Sequence, residues 1–212
     1  MKYLKMLGLA AVAAAALMAI AGAGTASATV LCDSATNPCT ARWAAGTQLE
    51  FHIQAGTEGI WAATSGEPTV RCTEGVLKAK PTTGGASETV VMSIGGESEF
   101  NWNKGCGSGI ETKTLEGGTL EVHSISGTNN GTVTATRFSF TTTFLGASCV
   151  YTFAQPTDIG TLTGSATGDA ILDINTVFTK KEGSFTCPTD VTWKENFTQV
   201  APSGTGLNVE PS

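Results

Sequence analysis

Gln48-Leu49-Glu50-Phe51-His52-Ile53-Gln54 alternates apolar and polar residues at every step, placing Leu49, Phe51 and Ile53 on one side. A period of two is the signature of a half-buried β-strand, not of a helix. The same rhythm recurs along the chain. Phe138, Phe140, Thr142 and Phe144 share a side of the run 132–144, and Cys149, Tyr151 and Phe153 share one of 148–153. Val191, Trp193, Glu195 and Phe197 share another. Further runs are read at 88–94, 97–103, 113–116, 119–125, 159–163, 170–179 and 184–187. Gly117-Gly118 reads as a two-residue hairpin turn, and Asn129-Asn130-Gly131 as a turn that tolerates positive φ. No segment after Ala28 carries a helical stripe; a single short turn at 41–45 is the one helical candidate. Turn residues interrupt at intervals of about 8–12 residues, the spacing of all-β sandwiches and barrels. The expected fold is an antiparallel β-sandwich, Ig-like or jelly-roll-like, spanning 29–200, with 201–212 as an extended tail.

The N-terminus is of a different kind. Lys2 and Lys5 precede the apolar stretch Leu7–Ile20, Gly22 and Gly24 break it, and Ala26-Ser27-Ala28 follows as a small-x-small site. This is the layout of a secretory signal peptide, with cleavage expected after Ala28. The apolar core is too short for a membrane-spanning helix. The whole chain has 212 residues and a net charge of −6. Residues 29–212 keep ten basic and eighteen acidic residues, a charge of −8. With no basic run, nucleic acid is not an expected partner, because phosphate neutralisation needs clustered Lys and Arg.

All six cysteines, Cys32, Cys39, Cys72, Cys106, Cys149 and Cys187, fall after the signal peptide. An even count in an exported chain reads as a disulfide framework. Six cysteines allow 15 connectivities; the spacing favours neighbours, 32–39, 72–106 and 149–187. On the chain-entropy model the two long loops are worth roughly 4 kcal/mol each and the short one roughly 2.5. The two bracketed segments echo each other, with Gly75-Val76-Leu77 after Cys72 and Gly160-Thr161-Leu162 after Cys149. A duplication into two pseudo-repeated halves and two similarly composed sheets of one domain both fit this echo.

Chemistry-bearing motifs are sparse. Neither His52 nor His123 sits in a recognisable triad, and no serine has the Gly-x-Ser-x-Gly frame of a nucleophile elbow. Glu97 with Glu99, Glu50 with His52, and Asp169 with Asp173 read as solvated strand faces, not as hydrolytic pairs. Asp158, Asp169 and Asp173 lack an Asp-x-Asp-x-Asp-Gly calcium loop. The expectation is a chain that is not an enzyme and carries no cofactor or metal. Trp102 and Trp193 alternate in phase with other apolar residues and are expected in the core, each against a disulfide. Trp43 and Trp61 lie in less regular surroundings and are the candidates for ligand contact.

Met1-Lys2-Tyr3-Leu4-Lys5, Ala28-Thr29-Val30-Leu31-Cys32, Asn37-Pro38-Cys39, Ser148-Cys149-Val150-Tyr151, Gly160-Thr161-Leu162-Thr163-Gly164 and Cys187-Pro188 together carry a resemblance. They are similar to a group of uncharacterised exported, disulfide-bonded β-rich proteins of high-GC soil bacteria. The likeness covers most of the chain and implies export and a disulfide-bonded β fold, with no catalytic residues. The Thr- and Gly-rich second half, with Phe144-Leu145-Gly146 leading to Cys149, more weakly resembles secreted alkane-oxidation activator proteins. The expected role is an exported non-catalytic structural or interaction protein, whose partner is an extracellular polymer, a lipid or a second copy. The alternative is a secreted binding module for carbohydrate or a small apolar ligand.

Overall fold

The computed structural model describes residues 29–34, 39–66, 69–82, 90–94, 100–106, 112–144, 146–153 and 156–211, with backbone alone at 90–94, 100–105, 112–115 and 144. Among the described residues there are fifteen strands and no helix. They are β1 (Thr29–Cys32), β2 (Leu49–Ile53), β3 (Gly59–Ala63), β4 (Thr69–Pro81), β5 (Val90–Ile94), β6 (Phe100–Cys106), β7 (Thr112–Glu116) and β8 (Thr119–Ser124). There follow β9 (Gly131–Thr136), β10 (Ser139–Phe144), β11 (Ala147–Thr152), β12 (Thr157–Thr163), β13 (Ile171–Glu182), β14 (Asp190–Ala201) and β15 (Asn208–Pro211).

The pairing is antiparallel throughout and resolves into eight long strands. Strands β4, β13 and β14 are continuous, each with 12 or 13 residues. The others are broken in the middle. β2 and β3 run in line, both paired with β14 and with β4. β5 and β6 share β4, and β11 and β12 share β13. β7–β8 runs beside β10–β9. Each long strand neighbours the next in sequence, and β14 returns to β2 and β3, so the sheet closes on itself. The result is a sandwich whose two faces are continuous at both edges, stapled by disulfides. Closure pairs most strand edges within the ring, which limits the template for edge-to-edge association, while β6 pairs with β4 and β7 with β10 without a ladder between β6 and β7 among the described residues.

Two readings of turns change. Gly117-Gly118 does not make a hairpin: β7 pairs with β10 and β8 with β9, so the glycines are a kink inside one long strand. Opposite them Arg137 takes φ 55°, splitting the run 132–144 into β9 and β10. A Cβ on Gly118 would stand 2.1 Å from the Thr136 carbonyl oxygen, so only glycine fits the crossing. Residues 41–45 form no helical turn; the Trp43 amide donates to the Leu31 carbonyl at 2.9 Å.

Alternation then fills the inside. On β13, Leu172, Ile174, Thr176 and Phe178 point in, while Asp173, Asn175, Val177 and Thr179 point out. An apolar interior and a polar exterior are the reverse of a membrane-spanning barrel, and no helix among the described residues is long and apolar enough to cross a membrane. Opposite walls touch where Trp61 on β3 meets Phe140 on β10 at 4.5 Å between ring centres, and on one wall Phe178 of β13 stacks at 4.0 Å on Phe153, which follows the neighbouring β11. The void among Leu77, Leu120, Phe138, Phe153, Ile159 and Trp193 is about 10 Å³, water-sized and wholly apolar.

The residues after Ala201 do not trail away. β15 returns to pair with β1, and Val30, Leu207, Asn208 and Val209 are all fully buried. The ribbon lies over the 125–130 turn, where the Ser124 amide donates to Thr29 Oγ1 at 3.0 Å and the Val209 amide donates to the Asn129 carbonyl at 3.0 Å.

Candidate functional site

The three disulfides are Cys32–Cys39, Cys72–Cys106 and Cys149–Cys187. Their settings differ. Cys72 and Cys106 are directly opposite each other on β4 and β6. Cys149 on β11 instead holds the connection between β13 and β14. A Cβ on Gly183 would stand 2.6 Å from Cys187 Sγ, so glycine is needed where the chain passes the sulfur.

The two tryptophan candidates for ligand contact part company. Trp61 is only 4% exposed. It stacks on Trp193, its direct partner across β3 and β14, with ring centres 5.0 Å apart and planes 11° apart. It is a core residue, because β3 carries it in phase with the buried Gly59 and Ala63 on the inner face. Trp43 is half-buried, packs against the core, and donates its indole N–H to the Gly206 carbonyl at 3.3 Å. Trp193 is buried as expected, in an aromatic cluster with Trp61, Phe138, Phe178 and Phe197. The Trp102 side chain lies outside the described residues.

The polar candidates disperse. His52 Nε2–H donates to Glu50 Oε1 at 2.7 Å, and Lys78 Nζ stands 3.6 Å from Glu50 Oε2, an outward-facing triad. The His52 bond, reinforced by Lys78, holds the Glu50 carboxyl below its usual range against a smaller opposing effect of burial. Asp158 accepts from Thr134 Oγ1 at 2.7 Å on the outer wall, and Asp169 and Asp173 are exposed. His123 is half-buried beside Val122. Glu97 and Glu99 lie outside the described residues. Among the described residues no three His, Cys, Asp or Glu side chains converge as metal ligands.

Two features passed unread in the sequence. The first is Phe185, at the tip of the β13–β14 hairpin and 97% exposed. The run 184–187, expected as a strand, is a tight loop. Thr186 N donates to Ser184 Oγ at 3.3 Å and Cys187 N to the Ser184 carbonyl at 3.1 Å. Lys180 Nζ bonds the Cys187 carbonyl at 3.1 Å. With the disulfide behind it, this tip presents its phenyl ring on a braced backbone.

The second is Glu195, 3% exposed and in phase with Trp193 and Phe197 on the inner face of β14. Its place is a break in the wall. β2 stops at Ile53, β3 begins at Gly59, and residues 54–58 loop outward, tied by Gln54 N donating to the Asn196 carbonyl at 2.7 Å. The Glu195 carboxyl fills the break. A Cβ on Gly59 would lie 2.8 Å from its Cδ, and one on Gly75 would lie 3.2 Å from Oε1. Oε2 accepts from Trp193 Nε1–H, and Oε1 has no partner. Burial pushes this carboxyl up to about 8, with the Trp193 bond opposing only in part. At neutral pH it is an uncharged acid. At the outer side of the same break is a depression of about 240 Å³ that Glu195 and Ile174 line together with Glu58, Asp173, Asn175, Lys194 and Asn196. The signal was present in the sequence: an acid in phase with Val191, Trp193 and Phe197 is out of character for a solvated face.

Comparison with known proteins gives no match: no family model fits the chain, and no curated protein and no solved structure matches it.

Proposed function

We propose that the chain is an exported, non-catalytic structural or interaction protein. The observation that carries this reading is the Phe185 tip. A phenyl ring almost wholly in water gains free energy when a partner covers it, and bracing by the Cys149–Cys187 bond reduces the ordering cost of that contact. Export is supported by the signal-peptide layout of residues 1–28 and by three disulfides, which persist in oxidising compartments. The resemblance to exported β-rich proteins points the same way. The reading of a carbohydrate module loses support, because Trp61, one of its two stacking platforms, is interior.

The test is direct. Purified protein beginning at Thr29 and its Phe185→Ser variant are compared by sedimentation equilibrium for self-association, by co-sedimentation with cell-wall polysaccharide, and by flotation with phosphatidylglycerol vesicles. The expected result is one association that the variant weakens at least tenfold while its thermal midpoint is unchanged. No association in any arm, or turnover of an ester or glycoside substrate that tracks the pure protein, overturns the reading.

A further inference from the structure

We propose that Glu195 is a proton-operated plug: with its carboxyl protonated it seals the break between β2 and β3, and on losing that proton it leaves the wall and the 54–58 connection opens. The geometry has three parts.

First, the break is the one place where the pairing of β14 changes partner, from β3 through residues 191–194 to β2 from Phe197 onward. On the other side β4 changes partner across the same gap, with Gly59 opposite Cys72 and His52 opposite Val76. The ladders on both sides are interrupted here, and a segment with an interrupted ladder opens at lower cost than the whole domain.

Second, among the described residues no charged side chain bonds the carboxyl, and burial with the Trp193 bond sets its ionisation. Trp193 Nε1–H from β14 is its hydrogen-bond donor. The side facing it is Ile53 from β2, Gly59 from β3, Gly75 from β4, and Ile174, its register partner on β13. None of these is charged. A buried carboxylate with one neutral donor and a second oxygen unpartnered is expensive, while a carboxylic acid in the same place is tolerated.

Third, there is somewhere for the carboxylate to go. The depression outside the break holds Lys194, beside Glu58 and Asp173. Glu58 is already paired with Arg71 at 3.0 Å, so a charge leaving the wall moves toward water and toward a lysine. The glycines at 59 and 75 matter twice. They make room for the acid when it is in, and they leave no side chain to replace it when it is out.

Opening that releases a proton should become tenfold easier for each pH unit while the closed form is protonated and the open form is not. The experiment is amide exchange at residues 53–60 between pH 5 and 10, corrected for the intrinsic rate, on wild type and Glu195→Gln. Wild type should lose protection about tenfold per pH unit, levelling off near pH 8, while strands β8 and β9 stay protected. Glu195→Gln, which keeps an acceptor for Trp193 but cannot ionise, should show a flat profile. Difference infrared spectroscopy of wild type alone supplies a second readout that does not depend on the variant folding: a protonated-acid carbonyl band should be present at pH 6.5 and vanish with the same midpoint. The same pH profile in both proteins, loss of protection in the whole sandwich at once, or an ionised carboxylate at pH 6.5 would each overturn the proposal.

Discussion

Replacing Trp61 by Ala separates a core residue from a surface platform. The side chain is 4% exposed and makes ring contacts with Phe140 at 4.5 Å, Trp193 at 5.0 Å and Phe178 at 5.5 Å. Emptying a buried tryptophan site costs about 3–5 kcal/mol. Aromatic pairs add about 0.5–1.5 kcal/mol each beyond area, which puts Trp61→Ala at the upper end, about 5 kcal/mol. For a domain of this size 1 kcal/mol moves the thermal midpoint by roughly 2–4 °C. The expected fall is therefore on the order of 10–20 °C, or about 1 M in the guanidinium midpoint at the slope usual for this length. Trp43→Ala is the internal control: half-buried and bonded to the Gly206 carbonyl, it should cost about 1–2 kcal/mol. Both variants are melted in guanidinium under oxidising conditions, followed by far-UV circular dichroism. A Trp61→Ala loss below about 1.5 kcal/mol at unchanged slope, or one smaller than that of Trp43→Ala, refutes the core assignment.

Three further outcomes are expected. Cys149→Ala with Cys187→Ala releases a loop closed over a sequence separation of 38 and should cost roughly 4 kcal/mol on the chain-entropy model, read by the same melts. Gly160 lies at the register shift of β12 against β9, and a Cβ there would lie 1.8 Å from the Asp173 carbonyl oxygen, so Gly160→Ala must push β12 off β13 and should cost at least about 2 kcal/mol; equal stability would show that this register shift relaxes freely. The Tyr151 hydroxyl donates to the Pro188 carbonyl at 3.0 Å, and burial, with the Asp190 charge, raises it to about 12. Since the folded form keeps that proton longer than the unfolded form, its contribution is full below pH 10 and lost as pH rises toward 12. An ultraviolet titration should show one tyrosine ionising late, and Tyr151→Phe should abolish it.

Much of the architecture was legible because a strand's period is local. The side of Phe51 and Ile53 that the alternation marked as buried is the side that faces the interior, and likewise for Trp193 and Phe197. The cysteine pairing was also legible, because loop closure favours partners near in sequence. What failed was long-range. Gly117-Gly118 has the composition of a hairpin, but whether two glycines turn a chain or kink it depends on which strand lies opposite, and here that is the Arg137 kink. The run 184–187 alternates like a strand, yet the disulfide from Cys149 gathers it into a loop and turns Phe185 outward.

By itself the sequence determined the strand period, the inner faces and the neighbour-linked cysteines, since each is a property of a few consecutive residues or of chain length. Only the tertiary structure decided that the sheet closes on itself, that the last residues return to pair with β1, that Trp61 is core, and that Glu195 lies in a gap in the wall. These depend on which strand stands beside which. Trp61 and Trp193 are 132 positions apart in the chain, and the indole contact that buries both exists because β14 comes back to lie against β3.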